Sequence, residues 1–559
     1  MAPLKSWLSV LSKPNFVFIL TDDQDLRLGS LDHQPLVKKH IAEQGTTFNK
    51  HYCTIALCCP SRVSLLTGKA AHNTNVTDVS QPYGGYPKFI SEGLNDKYLP
   101  VWLQQAGYNT YYTGKLMNGF TISTFDSPSA AGWNGTDYLL DPQCYWYHNA
   151  SMARNYGSPR YFPGNYSTDL VADAALGFLD EAIAADNPFF LGVAPIGPHA
   201  EMRPSLPNTF DLPVPADRHK YLFQDLKVPR SPSFNTLRTG GVNYLASLPE
   251  LNETELAYLD LFYRRRIQSL QAVDELVEGL VNKLSEHPDV LTNTYVIYSS
   301  DNGYHIGQHR LPPGKTCNIE EDINVPFLVR GPGVAKNTSY NRPTTHTDIV
   351  PTIFQLAGIS LHDDFDGEPI PVTIESQSKT TPKVEHVNVE FWGKGIAEGT
   401  ISNWTSSFAN NTYKHVRVVA DDYDLSYTVW CTNEHELYDL KTDPYQSTNL
   451  YGSTDDVSGY SIDKLISRLD ALLLTLKGCK GRVCTRPWET LHPQGNVRSL
   501  ADALDSEYDH FYLSEQLKVS YSGCEAGYLT QFEGALSPLS YDNASSFPSN
   551  EQVTLRPYL

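Results

Sequence analysis

The chain has 559 residues and 40% of them are hydrophobic, which is enough to build a sizeable core. Its 63 acidic residues outnumber its 43 lysines and arginines, and this net charge of −20 argues against a nucleic-acid-binding protein, which normally has a basic surplus. No apolar run approaches the roughly 20 residues that span a bilayer, so no membrane span is predicted.

Predicted strands and helices alternate over the first two thirds of the chain. Continuous apolar runs predict buried strands at residues 15–20, 110–113, 189–194, 295–299 and 325–329. Apolar residues at helical spacing predict helices at residues 99–106, 169–184 and 255–284, and Gly107 ends the first of them. This alternation predicts an α/β fold in which helices flank a large, mostly parallel central sheet.

From about residue 375 the pattern changes. Residues 387–391 and 414–420 have the composition of short antiparallel strands, and a helix is predicted near residues 462–476. We therefore expect an N-terminal domain over 13–375, a smaller C-terminal α+β domain with an antiparallel sheet over 376–485, and a C-terminal extension over 486–559 that packs on the surface.

Sequons of the form Asn-X-Ser/Thr are dense in this chain and favour passage through the secretory route. Nine asparagines are candidates for glycosylation: Asn75, Asn134, Asn149, Asn165, Asn252, Asn337, Asn403, Asn410 and Asn543. The apolar stretch near the start is too short for a good signal peptide, so we expect that one has been removed from this chain. The expected location is secreted or lumenal, whether extracellular, wall-associated or lysosomal.

The nine cysteines suit the same compartment. If Cys58 is set aside for chemistry, eight remain that could pair. Cys479 and Cys484 bracket a short Lys-Gly-Arg-Val turn and are the favoured disulfide, while the connectivity of the others stays open.

Four polar clusters directly follow predicted strands, namely Asp22-Asp23, Lys115, His199 and Asp301-Asn302. Each alone is better explained by a structural role such as a turn, a helix cap or a structural histidine. In a mostly parallel sheet, ligands collect beyond the carboxyl ends of the strands, so the four clusters together indicate a site. Three carboxylates and one amide oxygen are hard ligands that suit Ca²⁺ or Mg²⁺ and not zinc.

The most specific motif is the run from Cys58 to Gly68, CCPSRVSLLTG. It agrees with the sulfatase signature Cys-X-Pro-Ser-Arg-X-X-X-Leu-Thr-Gly at every fixed position. A buried structural cysteine at a helix start is the alternative, but seven fixed positions make a chance match improbable. The chain thus resembles the formylglycine-dependent (type I) sulfatases, in which a dedicated enzyme oxidises the first cysteine, here Cys58 and not Cys59, to formylglycine.

The resemblance covers most of the chain. Other segments that are similar to family motifs are residues 15–24, 107–115, 300–309 and 436–440. The likeness is greatest to glucosamine-6-sulfatase-like enzymes and the arylsulfatases grouped with them. It implies an alkaline-phosphatase-like sandwich and makes residues 13–375 the expected catalytic domain.

The same resemblance implies a metal site and a modified nucleophile. A calcium ion, or Mg²⁺ in its place, would be bound by the modified Cys58 together with Asp22, Asp23, Asp301 and Asn302. The hydrated aldehyde would provide one hydroxyl that attacks sulfur and a second that expels sulfate afterwards.

The resemblance also implies roles for the basic residues. Arg62 lies four residues after Cys58, on the same face if a helix begins there. Lys115 and Lys315 would bind sulfate oxygens, and His199 would bind the substrate and protonate the leaving oxygen. His305 either lines the substrate pocket or is a loop histidine with satisfied hydrogen bonds.

One position departs from the family pattern. Many sulfatases have a histidine two residues after the lysine that corresponds to Lys115, but Met117 stands there. We expect Asn118 or another residue to take its place. The loops over 123–160 and 204–244 are expected to set specificity, and the acidic run 320–322 is expected to be solvated.

These features predict a sulfuric ester hydrolase of the arylsulfatase type. Its substrate would be a small aryl sulfate or sulfated sugar, and a formylglycine-generating enzyme would be its partner during maturation. Two alternatives stay open: a phosphate or phosphonate ester hydrolase on the same scaffold, and an inactive extracellular glycoprotein if Cys58 is not converted.

Overall fold

A computed structural model describes residues 13–202, 209–379, 384–401 and 406–541. Its largest element is a ten-stranded sheet flanked by helices. The strands in chain order are β1 (Asn15–Thr21), β2 (Thr46–Phe48), β3 (Asn109–Gly114), β4 (Gly135–Leu139), β5 (Ser151–Arg154), β6 (Arg160–Tyr161), β7 (Phe189–Ala194), β8 (Thr294–Ser300), β9 (Phe327–Arg330) and β10 (Thr338–Tyr340).

Across the sheet the strands follow the order β10-β2-β9-β8-β1-β7-β3-β4-β5-β6. The run β8-β1-β7-β3-β4 is parallel throughout. Antiparallel pairings of β8 with β9 and of β4 with β5 flank this run. The predicted α/β sheet is confirmed, and it is parallel at its centre and mixed towards its edges.

Helices cover both faces of the sheet. The longer ones are α1 (Cys58–Thr67), α2 (Leu99–Gln105), α3 (Ser167–Ala184), α4 (Glu253–Ser285), α5 (Ile349–Ala357) and α6 (Ile462–Lys477). Further α-helical segments are Pro35–Val37, Ala71–Thr74, Gly85–Ser91, Pro288–Thr292, Glu320–Ile323, Ile374–Ser378, Arg482–Thr485, Pro487–Leu491 and Leu500–Ala503.

The side chains of β1 alternate between two hydrophobic cores, as a strand buried on both faces requires. Val17 and Ile19 pack in the core that includes α3 and α4. Phe16, Phe18 and Leu20 pack in the core that includes α1, α2 and α5. Within the described residues, no helix is both long and apolar enough to cross a membrane.

A smaller antiparallel sheet lies in the C-terminal part, as predicted. Its strands, neighbours in chain order, are β11 (His386–Phe391), β12 (Tyr413–Val419), β13 (Asp424–Trp430) and β14 (His435–Asp439). Helix α6 shares a core with this sheet, and so do Trp488, Leu500 and Phe511 of the C-terminal extension. The described part of the extension therefore does more than cover the surface, while the domain boundaries at 375 and 485 remain predictions.

Short strands form further small sheets. They pair Glu201–Met202 with Phe210–Asp211, His51–Tyr52 with Thr344–Thr345, Asp456–Val457 with Tyr460–Ser461, and Gly395–Ala397 with both Gly314–Lys315 and Ser407–Phe408. The last of these sheets brings a C-terminal segment against Lys315.

The predicted Cys479–Cys484 disulfide is confirmed, and a second disulfide joins Cys431 to Cys524. The other four cysteines that were available for pairing are buried free thiols: Cys53, Cys59, Cys144 and Cys317. Of the sequon asparagines, five are exposed and Asn75 and Asn149 are half-buried. Asn403, Asn543 and the first twelve residues lie outside the described residues.

Candidate active site

Adjacent parallel strands bring the four predicted clusters to one edge of the central sheet. Strands β8, β1, β7 and β3 are consecutive neighbours. They lead into Asp301-Asn302, Asp22-Asp23, His199 and Lys115, respectively. The arrangement is the one expected beyond the carboxyl ends of parallel strands. Ligand atoms of Asp22, Asp23, Cys58 and His199 all lie within 4.8 Å of one another.

The backbone at Asp23 is unusual, with a φ of 66°. Side chains of successive residues in an extended strand point to opposite faces. The left-handed conformation, which aspartate tolerates better than most residues, breaks this alternation directly after β1. Both carboxylates thereby face the Cys58 thiol, at 3.5 Å from Asp22 Oδ1 and 3.7 Å from Asp23 Oδ1.

Cys58 is the first residue of α1, a helix whose residues are all buried. Its Sγ lies 3.3 Å from Lys315 Nζ as well as near the two aspartates. Burial raises the pKa of the thiol well above its usual value, although Lys115 and Lys315 act in the opposite direction. The unmodified thiol is therefore a poor nucleophile at neutral pH, because the thiolate is the reactive form.

Arg62, one turn further along α1, holds two strand ends together. Its Nε donates to Asp301 Oδ2 at 2.8 Å and its Nη1 donates to the Lys115 carbonyl at 2.6 Å. Its Nη2 lies 3.6 Å from Asp22 Oδ2. A planar guanidinium can reach all three groups at once, which a lysine cannot.

Two lysines neutralise the paired aspartates. Lys115 Nζ donates to Asp22 Oδ2 at 2.6 Å, and Lys315 Nζ donates to both Asp23 carboxylate oxygens at 2.7 and 2.6 Å. Burial alone raises the pKa of the Asp22 carboxyl, but Lys115, His199 and Arg62 together lower it to about 2. Asp22 is therefore ionised at any physiological pH.

Asn302 provides a test of whether these residues suit a metal ion. Its Nδ2 donates to Asp23 Oδ1 at 2.8 Å, whereas its Oδ1 is buried and accepts no hydrogen bond within the described part of the chain. A buried acceptor without a partner is costly. A hard cation among this oxygen and the carboxylates of Asp22, Asp23 and Asp301 would satisfy it, so the donor set fits Ca²⁺ or Mg²⁺.

The His199 ring is held in a fixed orientation. Its Nδ1 is within hydrogen-bond distance of the Ala200 carbonyl, and its face packs on Tyr145 with ring centroids 4.2 Å apart. Because a carbonyl only accepts, Nδ1 carries the proton of this hydrogen bond and Nε2 is the ring nitrogen that the backbone does not engage. Nε2 lies 3.5 Å from Asp23 Oδ2.

A cavity of about 650 Å³ opens over this cluster. Of the predicted residues, Cys58, His199 and Lys315 line it. The predicted residues that do not line it are Arg62, Lys115, His305 and the metal ligands Asp22, Asp23, Asp301 and Asn302. The hypothesised substitute Asn118 also lines it, and its Nδ2 donates to the Tyr145 hydroxyl at 2.6 Å.

Sequence reasoning did not assign Tyr145, Asp141 or Glu398 to the site, although all three line the cavity. The Tyr145 ring lies beneath Lys115 Nζ, 4.6 Å from its centroid, in a cation–π contact. Loop 123–160 was expected to contribute to specificity, and its aromatic residues were the available signal for Tyr145. Nothing in the residues around Glu398 indicates a site.

The expectation that residues 320–322 are solvated is wrong, since all three are buried. Glu320 accepts from Arg417 Nε at 2.7 Å and pairs with Arg27. Asp322 accepts from His305 Nδ1 at 2.7 Å and from the Cys317 backbone. His305 is thus a buried histidine whose Nδ1 is engaged by Asp322, and it is not among the residues that line the cavity.

Comparison with known proteins places the chain in one family. The model of the family "Sulfatase" matches residues 14–359, and that of "N-sulphoglucosamine sulphohydrolase, C-terminal" matches residues 307–473. The first match spans more than half of the chain. The chain belongs to the sulfatase family and is a sulfuric ester hydrolase.

Several curated relatives are sulfatases. The chain is 52% identical to "Sulfatase ppz1" of Metarhizium majus over 406 residues, which is 73% of this chain and 88% of the relative. It is 40% identical to an arylsulfatase of Volvox carteri, and the match covers 89% of this chain and 80% of the relative. It is 32% identical to human N-acetylglucosamine-6-sulfatase, and the match covers 85% of this chain and 86% of the relative.

Solved structures share the fold at lower identity. A protein in complex with its substrate D-glucosamine-2-N,6-O-disulfate superposes with a TM-score of 0.63 at 21% identity, covering 79% of this chain and 94% of that one. A phosphonate monoester hydrolase of Agrobacterium radiobacter gives a TM-score of 0.56 at 18% identity, covering 79% and 92%. Both likenesses concern the fold alone.

Proposed function

We propose that the protein hydrolyses the sulfate ester of a sulfated sugar, with a formylglycine made from Cys58 and a calcium ion held by Asp22, Asp23, Asp301 and Asn302. The observation that carries this proposal is the position of Cys58. It lies in the cavity, at the start of a buried helix, between the aspartate pair that follows β1 and a lysine from a different strand.

The charge balance of the site supports a divalent cation. Three permanent cations, Arg62, Lys115 and Lys315, face four carboxylates, those of Asp22, Asp23, Asp301 and Glu398. Without a further cation this arrangement is net negative and repels a sulfate ester. A bound calcium ion reverses the sign and supplies Lewis-acid polarisation of a sulfate oxygen.

The modified side chain would supply a nucleophilic oxygen, and the protein's own residues would do the rest. Lys315 lies at the cavity surface, beside Cys58, where it can offset charge that develops on sulfate oxygens. Lys115, further in, and Arg62 hold the carboxylates in place. His199 would deliver a proton from Nε2 to the leaving oxygen, since Nδ1 is held by a carbonyl.

The sugar class of substrate is supported by the relatives. One of them is named as an N-acetylglucosamine-6-sulfatase, and the structural neighbour described above holds a sulfated glucosamine. The cavity volume of about 650 Å³ also lies within the range typical of small-molecule sites. We further propose a secreted or lumenal location and conversion of Cys58 by a formylglycine-generating enzyme, supported by the sequons and disulfides.

The experiment that tests this function compares substrates on protein produced with the converting enzyme and calcium. N-acetylglucosamine 6-sulfate and an aryl sulfate should both be hydrolysed, and chelation of the metal should abolish turnover. Dominant activity on the matching aryl phosphate or phosphonate would favour the alternative that the fold of the Agrobacterium hydrolase keeps open. Absence of all turnover in protein with a converted Cys58 would contradict both.

A further inference from the structure

The carboxylates of Glu398 and Asp141 line the cavity, and they differ in the number of contacts they make with other protein groups. Glu398 accepts from the Tyr304 hydroxyl at 2.7 Å and lies 3.4 Å from Lys315 Nζ. Asp141 accepts from the Gly119 backbone N–H at 2.8 Å through Oδ2 and, in the part of the chain that the structure describes, forms no ion pair. Asp141 therefore retains capacity to accept hydrogen bonds from a bound molecule.

The position of Asp141 is fixed by its own backbone. Its N–H donates to the Phe120 carbonyl at 3.0 Å, and its carbonyl accepts from Ile122 N–H at 3.0 Å. Together with the bond from Gly119, these contacts hold the carboxylate before any ligand arrives. A fixed acceptor loses little conformational freedom on binding, so its hydrogen bond adds more to affinity.

A chain of contacts links Asp141 to Lys115. Lys115 lies over the Tyr145 ring, and the Tyr145 hydroxyl accepts from Asn118 Nδ2. Asn118 precedes Gly119, which donates to Asp141. The carboxylate thus lies near Lys115 but forms no ion pair with it.

From this arrangement we infer that Asp141 is a specificity-determining residue, whose carboxylate accepts a hydrogen bond from a hydroxyl group of the sulfated sugar. The inference rests on the proposed function and refines it. A carboxylate only accepts, so it favours a substrate rich in hydroxyl donors over an aryl sulfate that has none. It also disfavours a substrate with a second anionic group at this position, because like charges repel.

Binding measurements test the inference without turnover. In a Cys58→Ala background, calorimetry with N-acetylglucosamine 6-sulfate and with inorganic sulfate should separate the contacts made to the sugar from those made to the sulfate group. Asp141→Asn should raise the Kd of the sugar sulfate by roughly 10- to 100-fold and leave that of inorganic sulfate unchanged. Asp126→Asn, at an exposed position of the same loop, is the matched control and should change neither.

Three results would overturn the inference: equal weakening of both ligands by Asp141→Asn, no weakening of either, or binding of sulfate but not of the sugar sulfate to protein with Asp141 intact. Failure of the proposed function has a different signature. It would appear as absence of turnover in converted, calcium-loaded enzyme, whatever the pattern of binding constants.

Discussion

The His199 side chain has one nitrogen, Nε2, that is not committed to the backbone, because Nδ1 donates to the Ala200 carbonyl. Nε2 lies 3.5 Å from Asp23 Oδ2. Its orientation is further fixed by the Tyr145 ring, which also lies under Lys115. A single aromatic residue from a loop thus contacts both a candidate proton donor and a buried cation. At the residue scale, the proposed chemistry depends on which atom of each side chain is still able to contact the substrate.

If His199 protonates the leaving oxygen, its loss should depend on the leaving group. His199→Gln should lower kcat for N-acetylglucosamine 6-sulfate by about 10²- to 10⁴-fold, because a sugar alkoxide is a poor leaving group. The same change should affect 4-nitrophenyl sulfate much less, since nitrophenolate leaves without a proton. Steady-state kinetics on both substrates check this, with His510→Gln, at an exposed histidine, as the control. Equal losses on both substrates would mean that His199 acts in binding or structure.

The elements that the sequence predicts best are those with strong local signals. Helix α4 was expected over 255–284 and runs from Glu253 to Ser285, because its apolar stripe is long. Strand β9 was expected from Val325 but begins at Phe327. Pro326 has no backbone N–H to donate, so the hydrogen-bonded ladder starts at the residue after the proline.

Helix α4 also offers a stability test, since its N-cap is a sequon asparagine. Asn252 Oδ1 accepts from the backbone of Thr254 and Glu255, and Glu255 reaches back to the N–H of Asn252. Asn252→Ala should lower the free energy of unfolding by about 1 kcal/mol.

Thr254→Ala is the matched control for this change, because it removes the sequon but keeps the capping oxygen. Denaturant unfolding of both variants, made in a glycosylating host, separates the cap from the glycan. Equal destabilisation by the two substitutions would assign the effect to the glycan and contradict the capping argument.

At the scale of the whole molecule, a contact between distant residues can be predicted from the sequence only where the topology of the sheet requires it. Contacts between individual side chains of distant segments cannot be predicted in this way. The strand-end clusters were predictable because a parallel sheet gathers them at one edge. The buried acidic run was not, because the partner of Glu320 is Arg417, 97 positions away. Asp141 lies in loop 123–160, which was expected to set specificity, but the residue itself was not predicted, and Glu398 joins the cavity through tertiary packing alone.

The two disulfides should differ in their contribution to stability. Cys431 and Cys524 are separated by 93 residues and Cys479 and Cys484 by 5. Loop-closure entropy assigns about 5 kcal/mol to the longer loop and about 2 kcal/mol to the shorter one. The Cys431→Ser/Cys524→Ser protein should therefore unfold at lower denaturant than the Cys479→Ser/Cys484→Ser protein. The reverse order would show that native packing around the short loop outweighs chain entropy.

The central claim is that Cys58 becomes the nucleophile, and the mass of the peptide that carries residue 58 tests it most directly. Purified protein that hydrolyses sulfate esters should yield this peptide at a lower mass than the unmodified peptide. The difference should equal that between a cysteine and a formylglycine residue. The fraction converted should also scale with specific activity across preparations. An unmodified Cys58 thiol in fully active protein would contradict the account.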